Sequence, residues 1–501
     1  MYRRPFYEGI IGQIKGSSET LNFGKCFSDS SRIEGRAATR ILQGLVFIGL
    51  YALFAPKQFP PWVLLVIVGI VTFPYRRDLI MLVANPMAFA WFILDRIDRS
   101  GFHFERLSTF GAIITSLAVF VFWGIFMLKQ RKFNLGVVLL MTSVVPLGGV
   151  VVNLLHSETW TLGHEVGRVA LYAYARGIWF ALFWCAIDTS RDGGVEVQSW
   201  VRIKNSLVAL NPFWNMLLVP VPGALKNTSF TNSEFVSTQA SGLRLLCFLV
   251  IPLHVGFELI QILAEESLIL RVAVDSGMET HSVAQWVPGL SRAELWLSGA
   301  IGGSIYIAKR AMEYGCMIAM ARVCGFPVLA EVKNVFRSTS FFDFLKRLSF
   351  HYVELLTRVW IVPALQASSH LLKRLGVSRA RGSEVAVLVS ISSGLIVGGV
   401  THQLALSTGA IASMGMEYLK KALIESYYYF FIAVGVLISV ILERNRRGTI
   451  AGWKYSIGQI LRVFIYLMFF SVLLLMLGHS QRVWGDPLRA FVTLYRMLGL
   501  P

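Results

Sequence analysis

Apolar residues run in long blocks along this chain, and polar residues gather in the short gaps between them. The blocks fall near 41–55, 60–74, 79–95, 107–128, 134–155, 169–187, 243–263, 295–320, 341–365, 385–407, 422–442 and 458–478. A helix needs about 20 apolar residues to cross ~30 Å of hydrocarbon, so the pattern predicts about a dozen helical spans. The shorter blocks read as tilted or re-entrant segments. No internal repeat, low-complexity tract or soluble linker interrupts the series. The predicted fold class is an all-α polytopic membrane protein, a multi-span helical bundle with re-entrant or interfacial helices. It forms one membrane domain over 41–501, preceded by a basic tail at 1–40.

Composition sharpens this reading. Charged residues make up 15% of the 501 and hydrophobic residues 55%, with a mean hydropathy of +0.60. A soluble domain carries roughly 25% charged residues, so a large soluble core does not account for the chain. The formal net charge of +18 is explained by Lys and Arg flanking spans on the cytoplasmic side. These residues occupy short loops instead of a basic face with interleaved polar readers, so no nucleic-acid role is expected. The five cysteines, Cys26, Cys185, Cys247, Cys316 and Cys324, form no CxxC pair. Buried free thiols are expected, with no metal site and no disulfide framework.

Charge placement predicts a topology. "YRRD" (75–78), "KQRK" (129–132), "KRLGVSRARG" (373–382) and "ERNRRG" (443–448) are expected in the cytoplasm. The tail lacks an apolar signal-peptide core. Ile41 therefore opens an uncleaved first span with its N-terminus cytoplasmic. The 264–294 segment, with Glu265, Glu266, Asp275 and Glu279, suits an external loop.

Two stretches do not read as ordinary spans. In 205–242, Pro212, Pro220 and Pro222 interrupt an apolar segment too short to cross alone. Irregular backbone at membrane depth is tolerated only inside protein or along a cavity. The second stretch, 341–365, is apolar in outline but carries Asp343, Lys346, Arg347, His351, Glu354 and Arg358. On a helix, Asp343 pairs with Arg347 and Glu354 with Arg358 at a four-residue spacing. Two readings stand: an amphipathic helix at the membrane interface, or a helix lining a polar cavity where a charged substrate enters.

His402 lies in "VGGVTHQLALSTG" (397–409), between small-residue apolar runs. A neutral imidazole in such surroundings can take a proton from a hydroxyl. The competing reading is a histidine hydrogen-bonded to a carbonyl that helps helices pack. "HSETWTLGHE" (156–165) does not have HExxH spacing and reads as a solvated loop. No P-loop and no GxSxG elbow occurs.

The stretch "SFFDFLKRLSFHYVELLTRVWIVPAL" (340–365) resembles the signature of the membrane-bound O-acyltransferases, nearest the bacterial alginate O-acetylase-like branch. Ser340, Phe341, Asp343, Phe344, Lys346 and Arg347 fall in step with its Ser-Phe-x-Glu-Phe-Trp-Arg-Arg-Trp-His opening. Val362 and Pro363 fall in step with its ending. Gly399, Val400, Thr401 and His402 stand where the family has Gly-Leu-Trp-His. Similarity extends over about 165–440, with "RGIWFALFWCAIDTSRDGG" (176–194) and "LLVPVPGAL" (217–225) as further segments. The chain departs at Leu345 and Leu348, which replace tryptophans, and at Ser349, Thr401 and Gln403.

The resemblance implies a helical bundle around a central tunnel and acyl transfer from a thioester to a hydroxyl. The donor, an acyl-CoA or acyl carrier, enters from the cytoplasm as co-substrate; no tightly bound cofactor is implied. The acceptor is a polysaccharide, lipid or alcohol. His402 is then the general base, and Ser349 or His351 polarises the acyl carbonyl or orients the donor. Asp343, Lys346 and Arg347 form the substrate entry, the two cations drawing in the anionic donor. Membrane lipids surround the protein, an accessory protein is left open, and the location is a cell membrane of bacterial cytoplasmic type. A transporter or flippase and an inactive relative that scaffolds partner subunits remain the alternatives.

Overall fold

The computed structural model describes residues 37–54, 62–77, 107–129, 165–174, 231–277, 289–330, 335–414 and 427–445, with scattered positions within 79–94, 144–163 and 461–469 and at 332. Among the described residues every regular element is helical and no strand occurs. The principal helices are α1 (Ala37–Phe54), α2 (Trp62–Thr72), α3 (Thr109–Lys129), α4 (Asn232–Leu245), α5 (Ile251–Glu266), α6 (Leu268–Gly277) and α7 (Arg292–Val323). They continue with α8 (Phe341–Leu348), α9 (Phe350–Leu356), α10 (Val362–Arg374), α11 (Arg379–Met414) and α12 (Tyr427–Asn445). The described parts of the apolar blocks at 41–55, 60–74, 107–128, 295–320, 385–407 and 422–442 fall mainly on one of these helices each. Helix α1 starts at Ala37, a turn before Ile41. The blocks at 134–155 and 458–478, most of 79–95, and the proline-rich 205–230 lie outside the described residues or nearly so.

Two helical runs, Ser233–Glu266 and Glu384–Thr401, are long and apolar enough to cross a membrane. Apolar side chains also point outward. Phe248, Val255, Leu259, Ile262 and Leu263 are all exposed, and only 17% of the most apolar window of Ser233–Glu266 is buried. Of the expected buried thiols, Cys316 and Cys324 are buried and free, and Cys247 is free and half-buried.

Two expectations are corrected. The 264–294 segment is not a loop throughout, because 268–277 forms α6, whose Val272, Ala273 and Val274 pack into the core. The 341–365 segment is not one helix. It breaks at Ser349 (φ −134°, ψ 66°), which ends α8 and opens α9.

Helix α7 is the centre of the amino-terminal half, packed against α1, α2, α4, α5 and α6. Its N-terminus is set by a capping box: the Ser291 hydroxyl accepts the Glu294 N–H, and the Glu294 carboxylate accepts the Ser291 N–H. Thr231 and Glu234 repeat the device at α4. Helix α7 ends in a Schellman turn. Phe326 N–H donates to the Ala321 carbonyl and Gly325 N–H to the Arg322 carbonyl, with Gly325 at φ +77°. Helix α10 ends the same way at Gly376, where Val377 N–H reaches Leu372 and Gly376 N–H reaches Lys373.

Arginine side chains lock these ends. Arg77, from the expected cytoplasmic "YRRD" loop, is 1% exposed. Its Nη1 donates to the Gly325 carbonyl at 2.9 Å, and its guanidinium lies 4.5 Å from the Phe326 ring centre. A cation at a helix C-terminus is favourably placed against the helix dipole. Arg40 of α1 likewise donates to the Val71 carbonyl at the end of α2 at 2.7 Å.

Two π-turns, Leu246–Val250 and Thr357–Ile361, each stand just before a proline, Pro252 and Pro363. Proline cannot donate to the carbonyl four residues back and its ring crowds it. The wider turn relieves that crowding: the residue before each proline bonds five back, Ile251 to Leu246 and Val362 to Thr357.

Helices α4 and α7 approach at backbone level. A Cβ on Gly242 would stand 2.7 Å from the Ala319 carbonyl oxygen, whereas one on Gly256 meets nothing within 4 Å. Gly242→Ala is expected to destabilise the detergent-purified protein by roughly 1–3 kcal/mol through overpacking. Gly256→Ala should be neutral or gain up to about 1 kcal/mol of helix propensity. Equal unfolding midpoints for the two variants would contradict the close approach.

Candidate functional site

The two resembling segments sit on helices that pack together. Helix α11 carries Gly394, Gly398 and Gly399 before His402. A Cβ on Gly394 would stand 2.4 Å from the Ile361 side chain, and one on Gly398 would stand 2.3 Å from Leu356 and 3.3 Å from Trp360. The π-turn and α9 therefore press directly onto this glycine face. The contacts also fix an antiparallel register, Ile361 level with Gly394 and Leu356 to Trp360 level with Gly398. One further turn brings Tyr352 to Leu356 level with position 402. Ser349 and His351 fall within a turn of that level, and α9 packs on α11.

His402 occupies this register position on α11. Its side chain and those of His351 and Arg358 lie outside the described residues. Thr401 is buried and donates to the Val397 carbonyl at 2.7 Å. Ser349 N–H donates to the Leu345 carbonyl, and the Ser349 carbonyl accepts from Val353. Leu345 and Leu348 are buried core residues.

Helix α8 carries the charged half of the first segment. Ser340 caps it, its hydroxyl accepting the Asp343 N–H at 3.1 Å. Asp343 accepts from the Thr339 N–H at 3.0 Å and pairs with Arg347 at 2.9 Å. The expected four-residue ion pair is formed, and its carboxylate also holds the turn before the helix. Lys346 is half-buried; burial holds its ammonium below the usual lysine range, against the opposing pull of Glu354 and Asp343. The opposite face of α8 is aromatic and docks on α12. Phe341 N–H donates to the Ser439 hydroxyl at 3.2 Å. The Phe341 ring lies 5.8 Å from that of Tyr466 and 5.2 Å from that of Phe469. The structure thus separates the segment: Ser349 and His351 go with position 402, while Asp343, Lys346 and Arg347 sit on the far side of the break.

Among the other residues weighed, Glu165 is not part of a solvated loop. It is buried, and its carboxylate accepts the Leu107 backbone N–H at the start of α3. His156 and His164 lie outside the described residues.

One group was missed in the sequence. In the middle of α7, Arg310 donates through Nε to the Tyr306 hydroxyl at 2.9 Å and through Nη1 to the Tyr314 hydroxyl at 2.8 Å. Tyr429 of α12 is in electrostatic range of both Tyr306 and Arg310. The Tyr429 ring packs on Gly399, where a Cβ would stand only 2.1 Å away. The available signal was an ionisable cluster, Lys309, Arg310 and Glu313, inside a block that otherwise reads as a span.

The sequence matches no protein-family model and no curated protein. The acyltransferase resemblance therefore rests on the quoted motifs alone.

The register is directly testable. On a background without native cysteines, a Tyr352→Cys/His402→Cys pair is expected to be linked by a short bismaleimide. A Tyr352→Cys/Val389→Cys pair should not be, because position 389 lies about 20 Å along α11 from position 402. Mass spectrometry of the linked peptides reads the result.

Proposed function

We propose that this protein is a polytopic membrane O-acyltransferase that moves an acyl group, acetyl or longer, from a thioester to a hydroxyl. The observation that carries this reading is the register of α9 on α11. Residues far apart in sequence, Ser349 and His351 on one side and position 402 on the other, fall within about a turn of one level of the bundle. Outward-facing apolar side chains on α5 support a membrane setting. The core helix of a soluble protein would be mostly buried, whereas the window in Ser233–Glu266 is 17% buried.

In this scheme the helices surround a tunnel in a cell membrane of bacterial cytoplasmic type, with the N-terminus in the cytoplasm. His402 takes the proton of the acceptor hydroxyl as the oxygen adds to the thioester carbonyl. The tetrahedral intermediate collapses with loss of the thiolate, which receives the proton from the imidazolium. An ester and a free thiol result. Ser349 or His351, at the helix junction, polarises the carbonyl oxygen or orients the donor. Lys346 and Arg347 attract the anionic thioester donor, and Asp343 orients Arg347. The acceptor is a polysaccharide, lipid or alcohol.

Purified protein in detergent is expected to consume radiolabelled acetyl-CoA or a longer acyl-CoA in the presence of a hydroxyl acceptor. His402→Ala should lower the rate by about 10²–10⁴-fold, the usual contribution of general base catalysis, with its unfolding midpoint unchanged. Background thioester loss in both proteins, for every donor tried, would remove the enzyme reading in favour of a transporter or an inactive scaffold.

A further inference from the structure

We propose that the turn between α10 and α11 is a docking site for anionic phospholipid headgroups at the membrane surface. The inference rests on the membrane setting and is independent of acyl transfer. The run Glu384–Thr401 is long and apolar enough to cross a membrane. It begins less than two helical turns after Ser378, so the turn lies at one end of that span, at headgroup depth. Two kinds of side chain meet there. Leu371 and Leu375 are 57% and 68% exposed, and no residue of α10 is buried. Lys373 and Arg374, also exposed, lie between the two leucines. Arg379 and Arg381 follow in the first turn of α11.

Charge complementarity names the occupant. The stretch 373–384 carries a net charge of +3, with Glu384 as its one carboxylate. Among the described residues no ion pair holds Lys373 or Arg374. The dipole of α10 favours cations at its C-terminus, but it gives no reason for exposed leucines beside them. Leucines interleaved with cations suit a segment that sinks apolar side chains among acyl chains while its cations meet lipid phosphates. The turn is also a fixed platform. Gly376, at φ +73°, closes α10, and Gly382 N–H donates to the Ser378 carbonyl. Leu372 and Val377 flank Gly382, each 3.7 Å from where its Cβ would stand. The Ser368 and Ser390 hydroxyls, 3.3 Å apart, join α10 to α11. A closed turn therefore presents the cations and leucines together.

The test uses full-length protein without native cysteines, carrying a fluorophore at Ser378→Cys. A second preparation carries it at Leu259→Cys, on the exposed apolar side of α5. Mixed micelles present spin-labelled phosphatidylglycerol or phosphatidylcholine as the quencher. Both lipids should quench position 259 alike. At position 378 phosphatidylglycerol should half-quench at a roughly tenfold lower mole fraction than phosphatidylcholine, because each Lys or Arg near an anionic surface contributes about fivefold. Lys373→Gln/Arg374→Gln should remove most of that preference, as should about 1 M salt. Arg292→Gln, exposed at the start of α7, should leave it intact. Leu371→Ser/Leu375→Ser should weaken quenching at 378 by both lipids. His402→Ala should behave as the wild type does, whatever its activity. Equal quenching by the two lipids at 378, with 259 quenched, would overturn this site alone. Displacement of phosphatidylglycerol by free glycerol 3-phosphate at equal concentration would replace lipid docking with simple phosphate binding. Absence of quenching at both positions would overturn the membrane setting and the site with it.

Discussion

The close approach of helices at glycine is the constraint on which the carboxy-terminal half depends. Helix α11 offers Gly394 and Gly398 on one face and Gly399 on another. The π-turn and α9 fill the first, and the Tyr429 ring fills the second. Helices in an apolar medium gain little from burying more apolar surface, so they associate through packing contacts and small residues that let backbones meet. Side chains at these three positions would force α9, the π-turn and α12 away from α11. The same device joins α4 and α7, where Gly242 of α4 meets the Ala319 carbonyl of α7 and Gly315 of α7 receives Leu249 and Val250.

The proline-linked π-turns belong to this packing. Both Pro252 and Pro363 sit inside long helical runs that would otherwise be distorted. A one-residue widening keeps each run continuous and changes which side chains face the neighbouring helix. At Thr357–Ile361 the widened turn is itself the surface pressed onto Gly394 and Gly398. The relative rotation of α9 and α10 about α11 is therefore set at the turn beside the candidate site. π-Turns inside helices are frequently found at functional sites for this reason.

Cations divide into two uses. Arg77 and Arg40 give their donors to helix-end carbonyls and hold the bundle ends together. Arg310 gives its donors to tyrosine hydroxyls in mid-helix, where no helix end needs satisfying. Net charge alone does not separate these uses, because an arginine at a helix end and one in mid-helix contribute equally to the +18 total.

The sequence by itself determined the local facts: helices as the regular elements of the described residues, the position of most of those helices, the free thiols at Cys316 and Cys324, and the Asp343–Arg347 pair. Each depends on residues within a turn or two of one another, where hydropathy and spacing are direct readouts. The break at Ser349 escaped, because the apolar outline continues across it and only the docking of Phe341 and Phe344 on Tyr466 and Phe469 demands a change of direction. Arg77 read as a loop charge because its partners, Gly325 and Phe326, are distant in the chain. The tertiary structure alone decided that α9 lies level with position 402 and that Arg310 stands behind Tyr429. Helices α7 and α11 are rich in apolar and small residues around their circumference, so hydropathy selects no face. The choice falls to shape, to which glycine receives which side chain, and that is settled only when the helices meet.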